Sequence, residues 1–335
     1  MASQKILLIR LSSLGDIVLT TPAIRAVRAH FPDAYIAMLV AKQSAEILRE
    51  NPHLDEIITF DRLAKNKDTG EMLRIIRHLR ERKFTTAIDF QRKFRTEMLM
   101  YFSSATERIG KGRFCTIRVH EQGNKHATAR YFDMLHAAGI PAEDQRLELF
   151  LAESERLDAV QRFDTAGVTE GGLKVGFFPG AGWKLREWMP ERFAAIGDRL
   201  VEHFNANVLI FGGPKEAELV QTVANLMNAP AVPFAGNLQV RQLAACLEKC
   251  DLFLTNDTGP MHIAAAVGTP TVSLFGPGNH IRFQPLGTLH QTIRHAVPCS
   301  PCKQFTDKCK DNICMKGIGV DEVWQSVSRV LAGVN

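Results

Sequence analysis

The sequence lacks any apolar run long enough to cross a membrane. Its 335 residues are 45% apolar and 23% charged, whereas a membrane-spanning helix needs about 20 consecutive apolar residues. The opening MASQKILLIRLSSLGD also lacks a signal-peptide core, because Arg10 interrupts a short apolar stretch and no small-residue cleavage site follows. We therefore expect a globular protein of the cytoplasm.

The number of cysteines is also not even, as a fully paired disulfide framework would require. The chain has seven cysteines, and an odd number in a chain of this length does not fit a secreted disulfide framework. Cys299, Cys302, Cys309 and Cys314 follow a C-x2-C-x6-C-x4-C spacing. Four thiolates could hold structural zinc, although this is not a common zinc spacing; free or redox-labile thiols are the alternative.

Length and hydrophobic patterning predict two α/β domains. One hydrophobic core rarely grows beyond about 250–300 residues, and short apolar runs alternate with helical patterns in two successive series. The runs of the first series are KILLIRL, AYIAMLV, DEIITF, TTAIDF and ERIG, and those of the second are LKVGFF, NVLIFGG, DLFLTND and TVSLFGP. Each series predicts a doubly wound parallel sheet covered on both faces, with a central cleft between the domains.

The boundary is expected in the charged stretch that ends at Gly171 and Gly172. We assign the first domain to residues 1–165 and the second to 173–319. Residues 320–335 should form a C-terminal helix that packs back on the first domain.

The segment TNDTGPMHIAAAVGTPTVSLFGP contains the step Asp257-Thr258-Gly259. Pepsin-type proteases use this triplet twice, but the second copy, at residues 68–70, lies in a basic polar loop, and the α/β pattern argues against an all-β protease. The order strand, turn, helix, with Pro260 at the first helical position, instead predicts an anion site at a helix N-terminus. The alternative is a simple helix cap.

Two further strand ends carry candidate groups. In FFPGAGWKLREWMP, Gly180 and Gly182 would expose backbone N–H groups, while Lys184 and Arg186 could reach a phosphate. In RLSSLGDIVLTTPA, Asp16 follows the first strand. It is either a helix cap or a carboxylate that accepts a proton from an attacking hydroxyl.

Positive charge is concentrated in one part of the chain. Residues 62–130 contain 17 Lys and Arg against 7 Asp and Glu, a net +10 in a chain of net +5. An anionic partner is therefore expected. A solvated basic face, an anionic lipid surface and nucleic acid are the alternatives, although no nucleic-acid recognition motif accompanies the charge. The clusters are Arg74, Arg77 and Arg80 on a predicted helix, then Arg92, Lys93 and Arg95 after a strand.

Four segments in this order, SSLGDIVLTTPAI, FPGAGWKLREWMPERF, FGGPKE and NDTGPMHIAAAVGTPTVSLFGP, resemble those of the ADP-heptose:lipopolysaccharide heptosyltransferases, glycosyltransferase family 9. The resemblance covers essentially the whole chain. It implies a GT-B fold whose first domain binds the lipopolysaccharide acceptor and whose second binds ADP-heptose. Transfer would invert the anomeric carbon without a metal or other cofactor and release ADP.

The resemblance also implies roles for residues. Asp16 would be the general base, and Arg186, with Lys184 as a rival, would neutralise the leaving phosphate. The donor-binding positions would be Gly180 and Ala181 for the phosphates, Glu216 for the ribose, Leu238 for adenine, and Asp257, Thr258, Gly259 and His262 for the diphosphate and donor sugar. For His262 the alternative is a packing histidine.

The resemblance therefore implies an inverting, metal-independent transferase that moves L-glycero-D-manno-heptose to the lipopolysaccharide inner core, peripheral at the cytoplasmic face of the inner membrane. The anionic core would meet the basic clusters, and nucleic acid is not an expected partner. The cysteine-rich tail and the FPGAG loop favour the second or a later heptose, as in a heptosyltransferase II. The alternatives are a related transferase with another nucleotide sugar and a non-catalytic binding protein.

Overall fold

A computed structural model describes residues 4–61, 69–120, 123–168, 171–236, 238–304 and 309–333. The chain divides into two units, Met1–Phe150 and Leu151–Asn335. Within those described ranges, none of the helices combines the length and the apolar character that a bilayer-spanning segment needs.

The first unit contains a six-stranded sheet. Its strands are β1 (Lys5–Ile9), β2 (Tyr35–Ala41), β3 (Glu56–Phe60), β4 (Thr86–Asp89), β5 (Glu107–Gly110) and β6 (Ile117–Arg118). All neighbours pair in parallel, in the order β3-β2-β1-β4-β5-β6. Such a sheet is buried on both faces, which explains why β1 and β2 are nearly continuous apolar runs.

Helices cover this sheet. They are α1 (Leu14–Val18), α2 (Thr21–His30), α3 (Thr69–Arg82), α4 (Phe94–Phe102) and α5 (Ala127–Ala137). Leu7 and Leu39 of the sheet share one core with Ile75 and Leu79 of α3, and burial of each such side chain is worth about 1.5–3 kcal/mol.

One segment of this unit has a helical sequence pattern but does not form an α-helix. The segment SAEILREN shows that pattern, but Lys42–Leu48 forms 3-10 turns. Pro52 follows closely and disfavours a helical conformation at Asn51, which prevents the segment from continuing as a longer helix.

The second unit repeats the architecture. Its strands are β7 (Lys174–Phe178), β8 (Asn207–Gly212), β9 (Val232–Ala235), β10 (Leu252–Asn256), β11 (Thr271–Leu274) and β12 (His290–Ile293). All neighbours are parallel, in the order β12-β11-β10-β7-β8-β9. The helices are α6 (Glu153–Thr165), α7 (Pro190–Phe204), α8 (Ala217–Leu226), α9 (Val240–Glu248), α10 (Gly259–Ala266), α11 (His280–Phe283), α12 (Ile313–Lys316) and α13 (Val320–Ala332).

Two helices are placed differently from the sequence-based domain assignment. Helix α6 was assigned to the first domain (1–165), but it packs on α9, where Arg156 Nε lies 2.8 Å from Glu248 Oε2. The division therefore falls before α6, at Phe150, and not near residues 171–172. Helix α13 was expected against the first domain, whereas its apolar face, Val323, Val327 and Leu331, is buried in the core of the second unit.

Both sheets have a topological switch point, where successive strands are added on opposite sides. In the first unit it lies between β1 and β4, and in the second between β7 and β10. Ligands of doubly wound sheets bind beyond the carboxyl ends of the strands at these points. The predicted α/β class with two doubly wound parallel sheets is confirmed.

Candidate active site

Asp16 lies just beyond the carboxyl end of β1. It occupies the third position of α1, and Ser13 is the N-cap residue. The Asp16 Oδ2 atom accepts hydrogen bonds from the Ser13 backbone N–H at 2.9 Å and from Ser13 Oγ at 3.1 Å. Asp16 is therefore not the N-cap residue of the alternative interpretation, but one of its oxygens completes a capping box with Ser13 from the third helical position.

The other carboxylate oxygen pairs with a buried arginine. Arg10 Nη2 lies 2.7 Å from Asp16 Oδ1, and Arg10 Nη1 donates to the Phe90 carbonyl oxygen after β4 at 2.9 Å. Arg10 is 8% exposed, and its guanidinium lies 5.8 Å from the Tyr131 ring centroid. Arg10 thus fixes the Asp16 carboxylate relative to the two central strands of the sheet.

Gln91 holds the loop between β1 and α1. Its Oε1 atom accepts hydrogen bonds from the backbone N–H groups of Leu11 and Ser12, both at 3.1 Å. Its Nε2 atom donates to Ser12 Oγ at 3.2 Å. Because Gln91 follows β4, the two strands at the switch point jointly position Asp16.

These contacts set the ionisation of Asp16. Burial acts to raise the pKa of this carboxyl, but the Arg10 charge and the Ser13 hydrogen bonds outweigh burial, so the pKa lies below its usual value. Asp16 is therefore a carboxylate at neutral pH. An ionised carboxylate offers about four lone-pair positions, which leaves capacity to accept a further hydroxyl.

In the second unit, Asn256 joins the two strand ends at the switch point. This side chain ends β10 and is fully buried. Its Nδ2 atom donates to the Pro179 carbonyl oxygen at 2.7 Å and lies 3.5 Å from the Gly180 carbonyl oxygen. Its Oδ1 atom accepts from the Trp188 backbone N–H at 3.2 Å. The loop after β7 is thereby fixed to β10 from both of its ends.

Arg186 and Asp257 form an ion pair beside this junction. Arg186 Nη1 lies 3.1 Å from Asp257 Oδ2, and Asp257 is buried, with 5% of its side chain exposed. Arg186 Nε donates to Gln304 Oε1 at 2.6 Å. Burial raises the pKa of Asp257 above its usual value, although the Arg186 charge opposes this.

Gly278 packs directly on this aspartate. A Cβ atom added to Gly278 would lie 2.0 Å from Asp257 Oδ2, a distance that real side chains do not reach. The glycine is therefore needed for the present position of the carboxylate. Neither the Gly278 contact nor the Asn256 bridge was identified from the sequence.

Lys184, the rival cation, lies elsewhere. Its Nζ atom pairs with Glu187 Oε2 at 2.5 Å, and 79% of its side chain is exposed. Only Arg186 of the two cations contacts Asp257 in the structure.

Glu216 borders a cleft at the carboxyl ends of β7 and β8. The cleft has a volume of about 510 Å³, and its lining includes Ala181, Lys184, Glu216 and Thr222. A Cβ atom on Gly180 would lie 2.4 Å from Glu216 Cγ, so glycine at that position makes room for the glutamate. The size suits a nucleotide-sized ligand.

The remaining predicted donor residues lie on two segments. Thr258 is the N-cap residue of α10, but its side chain makes no capping hydrogen bond, and Gly259 begins the helix. The helix start therefore lacks the side-chain cap that the simpler interpretation required. His262 is 5% exposed within α10, a degree of burial typical of a packing histidine. Leu238 is half-buried in the loop between β9 and α9.

The basic residues occupy two surfaces of the first unit. Arg74, Arg77 and Arg80 are exposed on α3, as predicted, but Arg74 Nε pairs with Glu71 Oε2 at 2.6 Å. Arg80 Nε donates to the Phe102 carbonyl oxygen at 3.2 Å. The second cluster, Arg92, Lys93 and Arg95, lies at the start of α4, with Lys93 exposed.

None of the four C-terminal cysteines forms a disulfide. Cys299 and Cys302 are exposed and Cys314 is buried. Burial raises the pKa of Cys314, and the Cys309, Cys299 and Cys302 thiols raise it further. Across the described part of the chain, no three His, Cys, Asp or Glu side chains are arranged as a metal site.

Two Rossmann-like domains, each with a doubly wound parallel sheet, are the architecture of the GT-B glycosyltransferases. The model of glycosyltransferase family 9 (heptosyltransferase) matches residues 72–312. The chain therefore belongs to this family and is a glycosyltransferase.

Individual relatives agree with this assignment. The lipopolysaccharide core heptosyltransferase OpsX of Haemophilus influenzae is 24% identical over 305 residues, 87% of this chain and 84% of that protein. The structure of a Veillonella parvula family 9 glycosyltransferase has a TM-score of 0.92 at 24% identity, with 98% of each chain covered. That of the Escherichia coli ADP-heptose lipopolysaccharide heptosyltransferase II has a TM-score of 0.82 at 21% identity, covering 98% of this chain and 99% of that one.

Proposed function

We propose that this glycosyltransferase moves L-glycero-D-manno-heptose from ADP-heptose to the inner core of lipopolysaccharide, with inversion at the anomeric carbon and without a metal ion. The similarity to the E. coli ADP-heptose heptosyltransferase II supports ADP-heptose as the donor. The same similarity, with the cysteine-rich tail and the FPGAG loop, supports addition of the second heptose.

One observation carries the proposal: Arg186 is held on the buried Asp257 at the β7–β10 switch point, next to the open N-terminus of α10. This arrangement suits a diphosphate. Five N–H donors belong to a guanidinium, and the contacts with Asp257 and Gln304 involve only Nη1 and Nε. The remaining donors and the α10 backbone N–H groups can stabilise the charge that builds up on the leaving ADP.

We expect the rest of the donor to bind around this point. Glu216 in the cleft would bind the ribose hydroxyls, the backbone of Gly180 and Ala181 would approach the phosphates, and Leu238 would contact adenine. Asp257, Thr258, Gly259 and His262 would seat the diphosphate and the sugar. Lys184 is exposed and paired with Glu187, so it would at most weaken the negative charge of the phosphates from the edge of the cleft.

Asp16 would act as the general base. Its carboxylate is ionised at neutral pH and is fixed by Arg10 and Ser13. It would accept the proton of the acceptor hydroxyl while that oxygen attacks the anomeric carbon and the bond to the ADP oxygen breaks. A direct displacement of this kind inverts the anomeric carbon and passes through no covalent enzyme intermediate.

The acceptor would be recognised by charge. Inner-core lipopolysaccharide carries phosphates and carboxylates, and the exposed α3 arginines together with the cluster Arg92, Lys93 and Arg95 supply cations on the first unit. We further propose that the enzyme is cytoplasmic and meets this lipid-linked acceptor as a peripheral protein at the inner membrane.

The test is a donor comparison with analysis of the product. The chain is incubated with an inner-core acceptor and with ADP-heptose, UDP-glucose or GDP-mannose, and the anomeric configuration of any product is determined by NMR. Transfer from ADP-heptose with inversion is expected. Turnover with another nucleotide sugar and none with ADP-heptose would assign the chain to the related transferase, and retention of configuration would contradict the direct displacement.

A further inference from the structure

The first unit carries an exposed aromatic surface on α4. Phe94 and Tyr101 are 64% and 47% exposed, and half-buried Met98 lies between them on the same face, at helical spacings of four and three residues. The Phe114 ring lies 6.4 Å from the Phe94 ring and 5.1 Å from the Tyr101 ring, measured between centroids. Phe94, Met98, Tyr101 and Phe114 are called the α4 patch below.

This patch is not required by the core of the unit. Leu99 and Met100, on the opposite face of α4, are fully buried in that core. Three aromatic rings in contact at the surface are unlike singly scattered apolar residues, and such clusters mark interaction sites.

Two arginines lie beside rings of the α4 patch. Lys111 and Arg113 are exposed, and the Arg113 guanidinium lies 4.9 Å from the Phe114 ring centroid. The Arg108 guanidinium lies 5.7 Å from the Tyr101 ring centroid. Residues 92–118 contain seven Lys and Arg against two Glu, and one of these, Glu97, is buried. The surface thus combines exposed rings with an excess of positive charge.

We propose that the α4 patch is the surface through which the protein binds an anionic phospholipid bilayer. Phe94, Tyr101 and Phe114 would enter the interfacial layer, where amphipathic and aromatic side chains are favoured. Lys111 and Arg113 would pair with lipid phosphates. This attraction decays with distance over about one Debye length and is weakened by salt. The proposal deepens the proposed function, because a lipid-linked acceptor would be met at that bilayer.

The proposal assigns membrane contact to α4 and not to α3. Both helices carry cations, but Arg74 of α3 is engaged by Glu71 and by the Thr59 carbonyl oxygen. On α3, Leu73 is 66% exposed, whereas Phe94 and Tyr101 of the α4 patch both contact the Phe114 ring.

The test is co-sedimentation of the full chain with vesicles that contain no lipopolysaccharide. Phosphatidylglycerol–phosphatidylethanolamine vesicles are compared with phosphatidylcholine vesicles, at low and high salt. The wild type should bind the anionic vesicles, and salt should weaken this binding. Phe94→Ser combined with Tyr101→Ser, and separately Lys111→Gln combined with Arg113→Gln, should each reduce the bound fraction at least tenfold.

Matched controls make the assignment to α4 specific. Leu157→Ser removes an apolar side chain that is 62% exposed on α6 and should leave vesicle binding unchanged, while Leu73→Ser tests α3. Unchanged thermal unfolding midpoints would show that the variants are folded. The proposal would be overturned if the wild type did not bind anionic vesicles, or if both α4 double variants bound them as well as the wild type. It would also be overturned if Leu73→Ser abolished binding.

A second readout separates the bilayer from the acceptor sugar. With a delipidated, water-soluble inner-core oligosaccharide, the Phe94→Ser, Tyr101→Ser variant should keep the wild-type KM and kcat. A raised KM for this soluble acceptor would show that the rings bind sugar, and would overturn the bilayer assignment. If the wild type bound vesicles but transferred no heptose, the proposed function would be wrong, but the assignment of bilayer binding to the α4 patch would remain valid.

Discussion

Asp16 is the proposed general base, and its ion pair with Arg10 lowers the pKa of its carboxyl. Arg10→Gln removes the cation but not the burial, so the pKa of Asp16 should rise. Because the pKa of a free-enzyme base appears in the acid limb of kcat/KM, that limb should move to higher pH. In the wild type it should lie below the usual value of about 3.9 for an aspartate.

The control for this prediction is Arg10→Lys, which keeps a positive charge near Asp16 and should leave the limb lower than in Arg10→Gln. The measurement is kcat/KM for heptosyl transfer as a function of pH in all three proteins. An acid limb at the same pH in the wild type and Arg10→Gln would mean that Asp16 is not the titrating base.

Arg186 and Lys184 can also be separated at the residue scale. Arg186→Gln should lower kcat by about 10²–10³-fold, the usual loss when one preorganised donor to a developing negative charge is removed. Lys184→Gln should have a much smaller effect, because Lys184 is exposed and paired with Glu187. Single-turnover rates with saturating ADP-heptose would measure both; a larger loss in Lys184→Gln would reverse the assignment.

At the scale of elements, the β10–α10 turn depends on the glycine that faces it. A methyl group at Gly278 would lie 2.0 Å from Asp257 Oδ2, so Gly278→Ala should displace this carboxylate and disturb its pairing with Arg186. We expect a raised KM for ADP-heptose and a lower kcat, measured by steady-state kinetics. Gly319→Ala is the matched control, since an added Cβ there meets nothing within 4 Å; equal effects of the two substitutions would contradict the prediction.

The junction of β7 and β10 gives a prediction about stability. Asn256→Ala leaves the buried Trp188 N–H and the Pro179 carbonyl oxygen without their partner, and each such group costs about 1–3 kcal/mol. The free energy of unfolding, measured by denaturant titration, should fall by at least the cost of one such group, about 1–3 kcal/mol. Asn225→Ala, on the exposed face of α8, should change it by less than about 0.5 kcal/mol. A similar loss in both variants would show that the bridge contributes nothing specific.

For the whole molecule, the class of fold could be predicted because it follows from local patterns. Short, continuously apolar runs such as AYIAMLV favour strands buried on both faces, and their alternation with amphipathic segments implies parallel sheets. The domain limits could not be predicted, because the charged helix α6 looks like a linker in sequence. Only its pairing with α9, through Arg156 and Glu248, shows that it belongs to the second unit.

The candidate site was predictable in part. Asp16, Arg186 and Asp257 stand out because they follow strands and glycines, where ligands of such sheets bind. Arg10, Gln91 and Asn256 were missed, because their importance lies in hydrogen bonds to residues about 70–80 positions away along the chain. No periodicity or spacing encodes such pairs, although their position at strand ends could have marked them as candidates.

Asp16-dependent heptosyl transfer from ADP-heptose is tested most directly by ADP release with a series of acceptors. Purified inner-core acceptors that carry no heptose, one heptose or two heptoses are each incubated with ADP-heptose and with the wild type or Asp16→Asn. We predict that ADP is released with the one-heptose acceptor and that Asp16→Asn lowers this rate by about 10²–10⁴-fold. Tight binding of ADP-heptose without release on any of these acceptors, or release that Asp16→Asn leaves unchanged, would contradict the claim.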